Sequence, residues 1–562
     1  MNPYRLFKEK SLGKAIVYLL TGNLLLGIGY IALLPIWEGF DETAHFSYLQ
    51  QVADTGTFPL DRNARISTDV EAYYVHAPVP QALSEGIPLE NRLTYRSFFS
   101  QPEKFLSDAR ELIHDSPENS RKYLPGRGNN WQAQHPPLYY VFLSPVYLLT
   151  KSLSWAGQIF ILRLSSYILA WIGLVVTVCG CLGMARSQRS PEQVQLWYWA
   201  ALGTGLWPVL FPAWFSDMAR MGNDSICCLL LSSIWFVSVR MVQEGLSIKY
   251  FFLLGLLLSL GCLTKAFFVP ITFSVLGFWM FREWKLQGSK GLWKAIRFST
   301  YALIIMLVMG WWWYWNNYVQ YGVILGSSEL RVLKEAGGLW KGLEFGYSFF
   351  QWVRGHVVLL VTVGWVGSWS FVKPPLILLF PIAFSLLWVM SFFLWALPRR
   401  KVHSAEWLPV WMAFLVLAGL SYHVLVRIAL TGEGRGTSGY YIHILAGPLA
   451  TALGISLYAM WAKRIFKTVM QIFFGYAVLF SIGITWAQAL FFSGIAFAGE
   501  NEKIIHFPES LPSFFGILEA FQRLKILVFP EAGSILWVSG WLFVIAGLVY
   551  ARRFANHSIR PL

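Results

Sequence analysis

About twelve apolar runs, each close to the ~20 residues a helix needs to cross a hydrocarbon core, divide this 562-residue chain. They lie at roughly 15–36, 158–184, 195–215, 224–242, 249–264, 266–281, 298–318, 375–397, 407–429, 440–461, 466–493 and 534–551. Inside lipid a backbone must satisfy its own polar groups, so runs of this length become helices. The expectation is an all-α, polytopic helical membrane protein of about 12 spans. Composition agrees, because charged residues are 13% of the chain where a soluble domain carries roughly a quarter.

The formal net charge of +15 does not point to nucleic acid, because Lys and Arg are gathered in short runs between apolar stretches. Arg5 to Lys14, Arg282 to Arg297, Arg399-Arg400-Lys401, Lys463 to Lys467 and Arg552-Arg553 read as cytoplasmic loops that orient the spans. The first run is read as a retained span, since it is too long for a cleaved signal segment. The five Cys all fall in or beside apolar segments, which suggests no disulfide framework and no zinc site.

The resulting layout has a cytoplasmic N-terminus at 1–14, a first span at 15–36 and an extracytoplasmic loop at 37–137. A core bundle at 138–318, an outer loop at 319–374 and C-terminal spans at 375–493 follow. Another outer loop at 494–533 precedes a last helix and tail at 534–562. The apolar segments 138–154 and 356–372 fit this threading only if they stay on the outer side. The 37–137 loop holds about fourteen of the 30 Asp and Glu, too much chain to be a mere connection. Its helical pieces, such as 41–54 and 103–113, are expected on the membrane surface.

Polar chemistry collects at this outer rim. Directly after the first span stands Trp37-Glu38-Gly39-Phe40-Asp41-Glu42-Thr43-Ala44-His45-Phe46, with His45 one helical turn beyond Asp41. Gln134-His135-Pro136-Pro137-Leu138-Tyr139-Tyr140 closes the big loop. Arg163 lies near the outer end of the second span, and Asp217, Arg220, Asn223 and Asp224 fill the turn after the third. Thr264-Lys265 interrupts an apolar stretch, and Trp313 to Asn317 ends the seventh span before Tyr321-Gly322. Gly432 to Tyr441 carries Arg435, Tyr440 and Tyr441.

Each cluster alone has a plainer account. Asp41 would cap a helix and Glu42 would face water, Arg163 would snorkel, and the Trp run would be an aromatic belt. Together they describe an outward-facing cavity with a carboxylate base and several cations. A carboxylate can take a proton from an acceptor hydroxyl, while Lys and Arg stabilise a departing phosphate. No Gly-rich phosphate loop is present, so a lipid phosphate sugar arriving from the bilayer is the natural donor.

These residues resemble the GT-C superfamily of membrane glycosyltransferases, and most closely a bacterial family of membrane proteins of unknown function, DUF2142. The likeness runs through Phe40 to Phe46, His135 to Tyr140, Arg163, Asn223-Asp224, Leu263-Thr264-Lys265, and Trp313 to Asn317 with Tyr321-Gly322. Relatives often carry Gly-Arg-Tyr where this chain has Gly439-Tyr440-Tyr441, and a Pro where it has Phe40. The resemblance implies Asp41 as general base and a polyprenyl-phosphate sugar donor. Glu42, His45 and His135 are then expected on the acceptor side, and Arg163, Lys265 and Arg435 at the donor phosphate. Asn223, Asp224, Trp313, Asn317, Tyr321, Tyr440 and Tyr441 would line the cavity.

No cofactor and no metal are expected, because no Asp-x-Asp motif stands in the first loop. The acceptor would be an envelope glycan, lipid or protein, at the outer face of a bacterial cytoplasmic membrane. A ligase or polymerase acting on lipid-pyrophosphate glycans is a second reading. A lipid-linked sugar transporter is a third, although no repeats and few midplane polar groups, both typical of transporters, are found.

Overall fold

The computed structural model describes residues 3–59, 64–80, 93–370, 374–397, 405–461, 463–498, 505–506 and 514–558. The basic run Arg399-Arg400-Lys401 and most of the 494–513 stretch lie outside the described residues.

Each expected apolar run coincides with helix. Nine helices among the described residues are long and apolar enough to cross a membrane, and the chain is a multi-pass membrane protein. One of them, Phe268–Tyr321, spans 54 residues but breaks at Gly288, whose φ of 62° and ψ of −144° leave helical space. Glycine enters this region without a steric cost. The helix doubles back there: Thr272 Oγ1 meets Met306, and a Cβ on Gly291 would strike the Glu283 carbonyl at 2.4 Å. The runs 266–281 and 298–318 are thus two legs of one hairpin.

The Pro191–Leu210 helix packs against Ala446–Trp461 with almost no side chain between them. A Cβ on Gly454 would lie 2.0 Å from the Trp199 carbonyl oxygen. Small residues allow this kind of backbone approach, which replaces a hydrophobic driving force inside lipid.

Three apolar helices are short. Leu138–Thr150 has 13 residues, Phe349–Thr362 has 14 and Ile248–Cys262 has 15. At 1.5 Å per residue each extends only about 20 Å, against a core of ~30 Å.

Within the first loop the Glu42–Thr55 helix is covered by the rest of the protein, with Glu42 to Gln50 and Val52 all buried. Aromatic side chains on more than one face account for this. Tyr48 stacks on Tyr140 at 3.6 Å from one side, while Phe46 packs against Trp37, Tyr147 and Trp155 from another. A short antiparallel strand pair, Arg65–Ser67 with Pro125–Asn129, braces it through Ser67 N–H donating to Ser47 Oγ at 2.9 Å. The Glu103–His114 helix buries only Ala109 and Ile113 and keeps the amphipathic character expected of a surface helix.

Candidate functional site

Between the first helix, ending at Leu33, and the next, starting at Glu42, the chain turns sharply. Trp37 (φ 67°) and Asp41 (φ 61°) both adopt left-handed backbone, the only described non-glycine residues to do so. This conformation costs roughly 1–2 kcal/mol for a residue with a Cβ and is enriched at functional positions. It aims Glu38 inward, where its carboxylate accepts from Tyr95 Oη at 2.7 Å and from Ser370 Oγ at 2.6 Å.

Asp41 occupies the position before the Glu42–Thr55 helix but makes no side-chain cap. Its Oδ1 instead accepts the indole N–H of Trp131 at 2.7 Å. Asp41 is half-buried. Desolvation pushes its carboxyl up from the usual range, and Arg220, the Trp131 hydrogen bond and Lys265 partly offset that rise. The result is a carboxylate more basic than one in water, close enough to feel both cations.

Those cations come from two turns. Arg220, 3% exposed, follows the short Ala213–Met218 helix. Its Nη2 donates to Asp217 Oδ1 at 2.9 Å and to Asp224 Oδ2 at 2.8 Å, while Nη1 donates to the Phe40 carbonyl at 2.9 Å. The peptide just before Asp41 is thereby tied to the cluster. Lys265, in the turn after Cys262, donates to Asp224 Oδ1 at 2.5 Å and lies 4.7 Å from the Tyr441 ring centre. Burial disfavours the charge of Lys265, but Asp224, Tyr441, Cys227 and the hydrogen bond to Asp224 together outweigh it and raise the ammonium's pKa.

His45 donates or accepts at Tyr140 Oη, 2.8 Å from Nδ1. Burial, then Arg220, His135 and Lys265, lower its pKa well below the usual value. His135 is pushed down to about 3 by burial and Lys265, with Asp224 opposing. Both rings are neutral near pH 7. Tyr440 stacks on Phe40 with centroids 5.8 Å apart, and Tyr441 adjoins Tyr440. Asn223 Nδ2 reaches the Thr264 carbonyl at 3.4 Å, tying the two cationic turns together. The fold thus gathers Asp41, His45, His135, Asn223, Asp224, Lys265, Tyr440 and Tyr441.

Other expected members are elsewhere. Arg163 was expected at the donor phosphate, but its guanidinium is filled by Glu42 and by the carbonyls of Leu34 and Pro35. Glu42, expected on the acceptor side, is fully buried in that pair and also accepts from Met221 N–H. Arg435 is half exposed and paired with Glu433; no described contact joins it to the cluster. Trp313 and Asn317 are buried, and among the described residues their side-chain N–H groups have no hydrogen-bond partner. Tyr321 lies under Arg331 at 4.4 Å and is felt by Tyr48, one ring removed from His45.

An open cavity was expected, yet Lys265 is 7% and Asp224 2% exposed, each occupied by the other. A phosphate would reach Lys265 only by displacing part of that pairing. A polar groove of about 580 Å³, lined by Arg110, Glu111, His114, Lys525 and Glu531 among others, shares none of these residues. Sequence reasoning gave Arg220 no role and did not single out Trp131. Arg220 had a readable signal in its position three and four residues from Asp217 and Asp224, and Trp131 had none.

No protein-family model matches the sequence, DUF2142 included, and no curated protein matches it. Among solved structures, the chain is similar to ArnT from Cupriavidus metallidurans bound to undecaprenyl phosphate. The TM-score is 0.46 at 12% identity, covering 96% of this chain and 77% of that one. It is also similar to the Archaeoglobus fulgidus oligosaccharyltransferase AglB in complex with an inhibitory peptide and a dolichol-phosphate. There the TM-score is 0.34 at 13% identity, over 93% of this chain and 55% of that one. These are likenesses of chain path, too loose to carry an argument about chemistry.

Proposed function

We propose that this protein is a membrane glycosyltransferase of the GT-C type, moving a sugar from a polyprenyl-phosphate donor to an envelope glycan, lipid or protein at the extracytoplasmic face. The observation that carries this reading is the half-buried Asp41 carboxylate set within electrostatic reach of the buried cations Arg220 and Lys265, which are themselves joined through Asp224. Asp41 takes the proton from an acceptor hydroxyl. The freed oxygen forms its bond to the anomeric carbon as the bond from that carbon to the phosphate oxygen breaks. The electron pair leaves with the polyprenyl phosphate, whose growing charge Lys265 and Arg220 stabilise. A single displacement of this kind inverts the anomeric centre.

The test is turnover by protein reconstituted in lipid, supplied with polyprenyl-monophosphate sugars and, separately, lipid-pyrophosphate glycans. Transfer from the monophosphate, reduced at least about 100-fold in Asp41→Asn, is expected. Transfer only from the pyrophosphate would favour a ligase, and unchanged turnover in Asp41→Asn would remove Asp41 from the chemistry.

A further inference from the structure

We infer that Trp131 is a positioning residue: its indole N–H holds Oδ1 of Asp41 so that Oδ2 is the oxygen turned to the acceptor. This rests on the proposed role of Asp41 as base.

Trp131 opens the short Trp131–Gln134 helix, and Asn130 fixes that helix to the site. Asn130 Oδ1 accepts from Gln132 N–H at 2.9 Å, and its Nδ2 donates to the Ala44 carbonyl at 3.0 Å. Asn130 N–H reaches the Ala64 carbonyl at 2.8 Å. The residue preceding Trp131 is therefore fixed by three hydrogen bonds, yet the indole itself remains 40% exposed. A large apolar ring left this open is not placed for burial, and its one directed contact is the Asp41 carboxylate at 2.7 Å. Among the described residues, Oδ2 of Asp41 has no hydrogen-bond partner. The ring of Trp131 also adjoins that of Trp369, whose backbone N–H donates to the Glu38 carbonyl at 2.7 Å. The segment carrying the base and the loop facing it are thus coupled through one indole.

A carboxylate held by one oxygen cannot rotate to offer either, and a positioned base reacts faster than a free one. The hydrogen bond also favours the ionised form. Other groups facing Asp41 are Arg220 and Asp224 beside the 219–224 turn, Lys265 from its own turn, Tyr440 and Tyr441, and Tyr140 from the Leu138–Thr150 helix. None of these donates a described hydrogen bond to the carboxylate.

The test uses the full-length protein labelled with 5-fluorotryptophan in lipid nanodiscs. The fluorine resonance missing from Trp131→Phe identifies Trp131. In the wild-type protein it is expected to shift with pH in one transition that vanishes in Asp41→Asn. Turnover of a polyprenyl-monophosphate sugar by Trp131→Phe, which keeps an aromatic ring and loses the N–H, is expected to fall about tenfold in kcat with little change in KM. Its acid limb should move up by roughly one pH unit. A resonance indifferent to pH, or a Trp131→Phe profile matching wild type while Asp41→Asn is inactive, overturns the inference alone. Full activity in Asp41→Asn overturns the reaction it rests on.

Discussion

Glu42 and Arg163, 121 residues apart in the chain, close a two-pronged ion pair, with Nε to Oε1 at 2.8 Å and Nη2 to Oε2 at 2.6 Å. Arg163 is 2% exposed and Glu42 fully buried. Arg163 also donates to the carbonyls of Leu34 and Pro35, just beyond the end of the first helix. The pair anchors the turn that presents Asp41, and its role is structural.

Breaking it from one side should be costly, since a buried charge without its partner typically loses 3–5 kcal/mol. Arg163→Met and Glu42→Gln are each expected to lower the thermal midpoint of the detergent-solubilised protein by several degrees. Arg163→Lys should not restore it, because an ammonium cannot reproduce the bidentate fork. A midpoint within one degree of wild type for Arg163→Met would refute the anchoring role.

The crossing of Pro191–Leu210 with Ala446–Trp461 gives a second expectation. A methyl group at position 454 must displace the Trp199 carbonyl, 2.0 Å from the ideal Cβ site, and backbone cannot yield as a flexible side chain does. Gly454→Ala should cost about 1–3 kcal/mol and Gly454→Leu should abolish accumulation in the membrane. Quantitative immunoblotting and thermal unfolding would check both, and normal levels of Gly454→Leu would disprove the close crossing.

The helical bundle was legible because runs near twenty apolar residues leave the backbone no other solution in lipid. The gathering of Asp41, Asp224, Lys265 and Tyr441 was legible as well, because charges tolerated at one rim of such a bundle have few places to go. Pairing within that rim was not. A charged residue on an apolar helix demands a partner, but nothing in the spacing distinguishes Glu42 from a phosphate as the partner of Arg163. Trp131 was invisible for a related reason: an indole near an outer rim reads as a boundary anchor, and its hydrogen bond crosses 90 residues. The depth at which the Glu42–Thr55 helix is buried was not legible, because its polar residues are interleaved with aromatic ones that pack on more than one side.

Acid should act on stability through His135. Its folded-state pKa is lowered to about 3 from a usual value of 6.5, by burial first and Lys265 next. The unfolded chain therefore binds a proton that the folded one refuses, so stability falls as pH drops from about 6.5 towards 3. Above 6.5 the contribution is complete and flat. His135→Gln, which stays neutral, is expected to show a shallower loss of thermal midpoint between pH 6.5 and 4 than wild type. Identical slopes would show that His135 titrates normally in the folded protein.

The two cations of the site should separate in their consequences. Asp224 is shared, with Lys265 on Oδ1 and Arg220 on Oδ2, so removing Lys265 leaves that carboxylate still paired. Lys265→Met keeps the length and apolar stem that lie beside the Phe267 and Tyr441 rings. It should fold close to normally, raise KM for the polyprenyl-phosphate sugar about tenfold, and lower kcat by about 100-fold as the departing phosphate loses a counter-charge. Arg220→Met strips Asp217 of its described cation, halves the pairing of Asp224 and releases the Phe40 carbonyl. Its loss of stability should resemble the 3–5 kcal/mol of a broken buried pair, ahead of any kinetic effect. Thermal unfolding and steady-state kinetics on both variants would decide the matter. Equal destabilisation by the two, or an unchanged KM in Lys265→Met, would mean that Lys265 is held for the sake of Asp224 and not for a substrate phosphate.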